Sequence, residues 1–400
     1  MSLPAPGVAA SLHSPPSKLR IAVLNRTFSP TGGGAERYSI ALVEQLADRH
    51  EIHVFAQVID HQWPGVTYHR VSAPLRRPRW INQLWYASAT WWATRRGFDI
   101  VHSHENTWHG NVQTAHVLPV KHNLFHGRSG VARALRWVKV GLSPRLATYL
   151  LLEHWRYAPR SGRQLVVSSQ TLQTIMASAY PASAACTSVS TPGITLPALA
   201  SWTCKQAARA RLGLPAKGCC ILFAGNDYRK KGLAALLGAL ALLPGDRIVA
   251  VVGNEAHRPF FEAQVKTSQL GGRVFFLGLL HDMTPAYQAA DCLVHPTLED
   301  TFAMVVLEAL SHGLPVIVSS AAYCGIAALL THEDNALIVD NPRDSQALAR
   351  CLSRLGDDSA LRERLMSGGR AFAGRYQWAD IARAQEAIYL DLVLRQSLDS

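Results

Sequence analysis

A chain of 400 residues is too long for one ordinary globular core and divides into two domains of roughly 150–200 residues each. Its 48% hydrophobic and 17% charged content exclude a disordered chain, and no apolar run approaches the roughly 20 residues needed to cross a bilayer. The net charge of +12 is not spread evenly: residues 70–163 carry fifteen Lys or Arg against only Asp99, Glu105 and Glu153, and the remainder is neutral.

Residues 1–17, rich in Pro, Ser and Ala, lack the basic start and apolar centre of a signal peptide and read as a disordered tail. Together with the missing span, that predicts a cytoplasmic protein. The strand-type run Ile21–Leu24 then leads into Ser29-Pro30-Thr31-Gly32-Gly33-Gly34-Ala35-Glu36-Arg37, with helical spacing at Tyr38, Leu42 and Leu46. Glycines such as Gly33 and Gly34 let backbone approach a ligand, and the amides of a helix start favour phosphate. The GxGxxG spacing of nicotinamide and flavin sites is absent. A merely flexible turn is the competing reading.

Ile52–Phe55, Ile100–His102 and Leu165–Val167 are the further strands of the first half, short and apolar enough for a buried parallel sheet. His102 and His104 alternate on one strand face, with His109 and His116 on the next loop and strand. Their spacing is too loose for a zinc set, so they read as core or cleft histidines. Thr191-Pro192-Gly193, Leu196-Pro197 and Leu214-Pro215 bracket a short basic helix and place the domain boundary around 191–215.

The second half alternates strands at Cys220–Phe223, Ile248–Val252, Val274–Leu277, Cys292–His295, Val316–Val318 and Leu337–Val339 with helices, one of them the apolar stretch Leu233–Leu243. After the first of these strands, Arg229, Lys230, Lys231 and Gly232 cluster cations where a βα loop faces a cleft, suited to a diphosphate leaving group. A solvated charge run is the alternative. His295-Pro296-Thr297-Leu298-Glu299-Asp300-Thr301-Phe302-Ala303 precedes an apolar helix containing Glu308, with Thr301 as a candidate cap. Asp300 reads otherwise as a cap and Glu308 as an exposed helix position, yet an acid within Val306-Leu307-Glu308-Ala309-Leu310 calls for a partner. No Asp-x-Asp pair occurs, which favours chemistry independent of a metal. The seven cysteines form no CxxC and read as reduced packing residues.

In this order the motifs resemble those of the GT-B-fold retaining glycosyltransferases of glycosyltransferase family 4, over about residues 18–395. Gly33-Gly34-Ala35-Glu36-Arg37 is similar to the family's glycine turn, Arg229 to Gly232 to its basic loop, and Gln113-Thr114-Ala115-His116 to the segment of its active-site histidine. Asp300-x7-Glu308 with Gly313-Leu314-Pro315-Val316 resembles its Glu-x7-Glu block. The resemblance implies an α/β architecture of two Rossmann-like βα domains facing across a cleft. Residues 18–195, with a returning helix over 378–400, would form the acceptor domain, and residues 196–377 the nucleotide-sugar donor domain. It implies Glu308 on the donor ribose, and Asp300 with the backbone of Thr301, Phe302 and Ala303 on the transferred sugar. Gly33, Gly34, Arg229, Lys230 and Lys231 would lie at the diphosphate, and His116 near the reacting sugar. His116, Asp300 and Lys231 are the implied catalytic groups, with no metal and no cofactor, and a UDP- or GDP-linked hexose as donor. Asp300 departs from the family's Glu, Glu299 beside it could compete, and Thr191-Pro192-Gly193 stands where Pro-Asn-Gly is frequent.

Trp80, Trp85, Tyr86, Trp91, Trp92, Trp137 and Trp155 interleave with the cations of residues 70–163. That mixture suits an anionic membrane surface and predicts a peripheral protein on the inner face of the cytoplasmic membrane, given a lipid-linked, lipopolysaccharide or polysaccharide acceptor. No nucleic acid is expected, since no RNA-binding signature accompanies the patch. Core tryptophans beneath a solvated charged face are the alternative. The rival functions are a GT-B-fold nucleotide-sugar epimerase and a non-catalytic nucleotide-sugar-binding subunit.

Overall fold

The computed structural model describes residues 18–75 and 77–398; the tail expected over residues 1–17 lies outside the described residues. Two large parallel sheets dominate the molecule, as the resemblance implies, beside a two-stranded pair of Thr27–Phe28 with Val58–Ile59. The seven-stranded first sheet runs in the order Val66–Arg70, Glu51–Ala56, Arg20–Leu24, Ile100–Ser103, Val112–Ala115, Gln164–Val167, Thr187–Val189. The six-stranded second runs Val274–Gly278, Arg247–Val252, Cys219–Ala224, Cys292–His295, Val316–Ser319, Leu337–Val339. Val66–Arg70 and Thr187–Val189 are edge strands with no counterpart among the expected runs. Their residues are only partly buried, so they carry little of the apolar signal that marks the central strands.

Period-two alternation sorts the second sheet's side chains onto two cores. Cys220, Leu222, Ala224, Ile248 and Ala250 face one cluster, and Ile221, Phe223, Val249 and Val251 face the other, beside the buried helix Leu233–Ala241. Both faces are covered, which is why those strands read as continuous apolar runs. The helix Trp378–Leu398 returns to the first sheet. There Tyr389 is fully buried, and its hydroxyl lies 2.6 Å from His102 Nδ1.

The chain therefore crosses between domains twice, and the crossings are joined. Ile194 N donates to Tyr376 O at 2.6 Å, and Trp378 N to Ile194 O at 3.4 Å. A Cβ at Gly193 would lie 2.7 Å from the Trp378 ring, so glycine here serves close packing at the crossing. Loops at the carboxyl ends of both parallel sheets meet across one cleft, where Thr301 bonds to His116 and Arg37 to Glu308.

All seven cysteines are free, but Cys204 is exposed, so the reading of every cysteine as a packing residue fails there. The tryptophan readings divide in the same way. Tyr86 is core, whereas Trp85, Trp91, Trp92, Trp137 and Trp155 are exposed. The three acids of the basic segment are consumed internally: Asp99 accepts from Arg20 N at 2.7 Å, Glu105 pairs with Arg26 at 3.2 Å, and Glu153 accepts from the amides of Val120 and Lys121 at 2.6 and 3.0 Å.

Candidate active site

The second wall of the cleft is built around two carboxylates on either side of one helix start. The strand Cys292–His295 ends at the buried His295, and the chain then turns through Pro296–Ala303 before the helix Met304–Ser311. Ala303, at φ +73°, stands at that start in the left-handed region. An alanine pays for that backbone with strain, and strain of this kind concentrates at functional turns. The helix begins two residues later than the expected cap implied. The Thr301 hydroxyl does not cap it but donates to His116 O across the cleft at 2.8 Å.

Asp300 is held entirely within its own domain. Its Oδ2 accepts from Lys231 Nζ at 2.5 Å and lies 3.2 Å from His295 Nε2, while Oδ1 accepts from Phe302 N at 3.3 Å. Burial opposes ionisation of the carboxyl, but the His295 hydrogen bond and the Lys231 charge outweigh it and hold Asp300 well below the usual carboxylate range. Burial also lowers the imidazole of His295. Lys231 Nζ donates to Glu299 O at 3.1 Å as well, leaving one of its three donors for a ligand.

Glu308, a little over one turn into the helix Met304–Ser311, is held from both domains. Its Oε2 accepts from Tyr287 Oη at 2.5 Å, and its Oε1 from Arg37 Nη1 at 2.8 Å. Arg37 follows the glycine turn on the helix Gly34–Leu46 of the first domain. The Glu308 charge raises the Arg37 pKa against the opposing effect of burial, and burial plus the same charge push Tyr287 well above its ordinary value. Beside this pair a cavity of about 280 Å³ opens between the crossing at Ile194–Pro197 and the Tyr287 and His312 rings, which stack at 4.9 Å.

The remaining expected residues divide. A Cβ at Gly34 would lie 3.7 Å from Met304 Cγ, so the glycine turn meets the start of the Glu308 helix. Gly33 N donates to Glu36 Oε2 at 2.8 Å and closes the helix start internally. Lys230 pairs with Glu299 at 3.1 Å on the surface, and Arg229 lies over the Phe260 ring at 4.6 Å. Glu299 therefore takes Lys230 rather than the place of Asp300. The Phe302 side chain belongs to the second domain's core, so only its backbone faces the turn. His116 sits on the opposite wall, 2.9 Å from His104 Nδ1 through its Nε2. Burial, then the Arg156 charge, lowers it to about 3, so the ring is neutral near pH 7. Among the described residues no group of three His, Cys, Asp or Glu is placed to hold a metal.

Tyr287, His295, His104 and Ser169, whose hydroxyl donates to Thr301 O at 2.6 Å, were missed as site residues by sequence reasoning. Arg37 was noticed only as part of the glycine turn. For His295 a signal existed, a histidine closing a buried strand just before the acidic turn. For Tyr287 none did.

Two parallel βα sheets with a shared cleft at their carboxyl ends define the GT-B class of two-domain fold. Residues 32–196 match the family described as Glycosyltransferase Family 4, and residues 205–372 that described as Glycosyl transferases group 1. The chain belongs to glycosyltransferase family 4. A D-inositol 3-phosphate glycosyltransferase of Xylanimonas cellulosilytica is 32% identical over 218 residues, 51% of each chain. One from Stackebrandtia nassauensis is 26% identical over 433 residues, covering 95% of this chain and 93% of its own. By such matches the chain spans about half the length of most curated relatives it resembles. The solved structure of WaaG, a glycosyltransferase involved in lipopolysaccharide biosynthesis, superposes with a TM-score of 0.78 at 20% identity, covering 91% of this chain and 98% of WaaG. At that identity the likeness concerns the fold alone.

Proposed function

We propose that the chain is a retaining, metal-independent glycosyltransferase that moves a hexose from a UDP- or GDP-sugar to a lipid-linked or polysaccharide acceptor. The observation that carries the reading is the convergence of Lys231–Asp300 and Arg37–Glu308 on one helix start, facing the neutral His116. The donor ribose takes Glu308, with its base in the cavity beside Tyr287 and His312. The diphosphate lies between the glycine turn and the first amides of the helix Met304–Ser311, where the free donor of Lys231 meets its charge. Asp300, kept ionised, accepts from hydroxyls of the transferred sugar. His116 has Nδ1 available for another.

Retention then follows by front-face attack. The bond from the anomeric carbon to the diphosphate oxygen breaks with its electron pair passing to the diphosphate. The acceptor hydroxyl bonds to the same face, and its proton goes to the departing oxygen. The protein's part is position and charge.

The acceptor side of the reading rests on the helix Gly130–Gly141 and its following turn. Val131, Leu135, Val138 and Leu142 are 76%, 63%, 58% and 80% exposed and form one stripe at helical spacing, interleaved with Arg133, Arg136 and Lys139. An uncovered apolar stripe flanked by cations suits an anionic membrane surface. No helix among the described residues is long and apolar enough to cross a membrane, so contact would be peripheral. A Leu135→Asp, Val138→Asp variant should lose sedimentation with phosphatidylglycerol vesicles at low salt; unchanged sedimentation removes this surface from the reading.

The donor assignment is tested by thermal shift against UDP-, GDP- and ADP-sugars, followed by product analysis in EDTA. One nucleotide series should stabilise the protein and yield a transferred sugar with retained anomeric configuration. An epimerised nucleotide sugar without transfer would replace transfer with epimerisation. Activity lost in EDTA and restored by a divalent ion would end the metal-independent part.

A further inference from the structure

A second cavity, of about 350 Å³, lies at the amino ends of the first sheet's strands. Its walls include Val101, Asn111 and Arg163, which stand at or just before the amino ends of the strands Ile100–Ser103, Val112–Ala115 and Gln164–Val167. In a parallel sheet these ends face away from the cleft at the carboxyl ends, so this cavity is separate from the donor site.

Its chemistry is cationic and unsatisfied. Arg95, Arg160 and Arg163 line it, and among the described residues none is paired with a carboxylate. Arg163 is committed to carbonyls, including those of Trp155 at 2.7 Å and Trp108 at 3.0 Å, and contributes charge from the floor. Burial, then the Arg160 charge, lowers the Arg163 pKa to about 10. Arg95 lies 3.6 Å above the Trp92 ring, and Arg160 5.4 Å above Trp155. A ring contact consumes none of the N–H donors of either guanidinium, which stay available for a ligand.

Independent support comes from His109. Its side chain lines the same cavity and the residue is only 9% exposed, yet both ring nitrogens are buried without a hydrogen-bond partner. Burial lowers this imidazole to about 3, so it stays neutral and offers one donor and one acceptor. A buried polar ring with neither position filled costs stability unless a ligand or water completes it.

We propose that this cavity is a binding site for a phosphate ester of a small polyol or sugar. The phosphate would sit between the N–H edges of Arg95 and Arg160, and the polyol against His109 and Trp91. The volume exceeds that of a bare phosphate and falls within the range of small-molecule sites. Paired guanidinium edges match phosphate oxygens. The same chemistry is presented by a soluble sugar phosphate and by a glycerophospholipid headgroup.

The test compares sn-glycerol 3-phosphate, monomeric dihexanoyl-phosphatidylglycerol and plain glycerol by thermal shift and calorimetry. The unaltered protein is set against an Arg95→Ala, Arg160→Ala variant. Either phosphate compound should bind and glycerol should not, with affinity falling about tenfold or more in the variant. Binding of glycerol 3-phosphate marks a soluble ligand, and binding of the short-chain lipid alone marks a headgroup. Absence of binding by both, or equal binding by the variant, overturns the proposal. Both altered side chains lie at the cavity rim, and far-UV circular dichroism verifies the fold. The response to UDP, measured separately, reports on the donor cleft, so failure of one site leaves the other judged on its own data.

Discussion

Asp300 and Glu308 lie on the same turn and helix, but their surroundings differ in kind. Every partner of Asp300 comes from the second domain, so its charge is set whether or not the cleft is closed. Glu308 shares one oxygen with Tyr287 of its own domain and gives the other to Arg37, 271 residues away in sequence and across the cleft. One acid is organised by a domain. The other reports the relation between domains.

The contrast breaks first on activity. Glu308→Ala and Lys231→Ala should each lower transfer by about 100-fold or more, as removal of preorganised charge does elsewhere. In Lys231→Ala the buried Asp300 loses its cation, so its carboxyl pKa should rise in a proton titration. Normal turnover in either variant would sink the donor-site assignment.

A smaller effect concerns closure. Arg37→Ala should cost about 1 kcal/mol or less of stability, because the pair is partly open to solvent, but should increase the radius of gyration of the ligand-free protein in small-angle scattering. An unchanged radius would mean that the hydrogen bonds from Thr301 and Ser169 suffice to hold the domains together.

A pH-dependent effect lies in the first domain's core. His102 is fully buried, and burial lowers its pKa to about 3. Below the ordinary imidazole value near 6.5 the unfolded chain binds a proton that the folded chain refuses, so stability falls as pH drops from about 6.5 towards about 3. The contribution is roughly 1.4 kcal/mol per pH unit within that window. His102→Gln should make the dependence of the urea midpoint shallower between roughly pH 6 and pH 4, leaving the share of the other buried histidines His109 and His116. A dependence as steep as the original would assign the proton uptake to other histidines.

Much of this organisation was legible in the chain because it follows from short-range pattern. Central strands such as Ile248–Val252 are apolar throughout because both faces are covered. The basic loop and the two acids lie at strand ends, where a βα fold places ligands. The first sheet's edge strands Val66–Arg70 and Thr187–Val189 were illegible because their polar, partly exposed residues carry weak periodicity. The Thr301 cap was misread because its hydroxyl had a better partner across the cleft, the carbonyl of His116. Ala303 then took the helix start at a positive φ that nothing in its sequence context announces.

By itself the sequence determined two βα halves and an excess of charge confined to residues 70–163, since these depend on composition and local spacing. Only the tertiary structure decided what the charges do. It assigned Lys231 and His295 to Asp300, Arg37 and Tyr287 to Glu308, and left Arg95 and Arg160 without an acid among the described residues. The physical reason is that periodicity is written over a few residues, whereas an ion's partner is whichever group the chain returns to it in space.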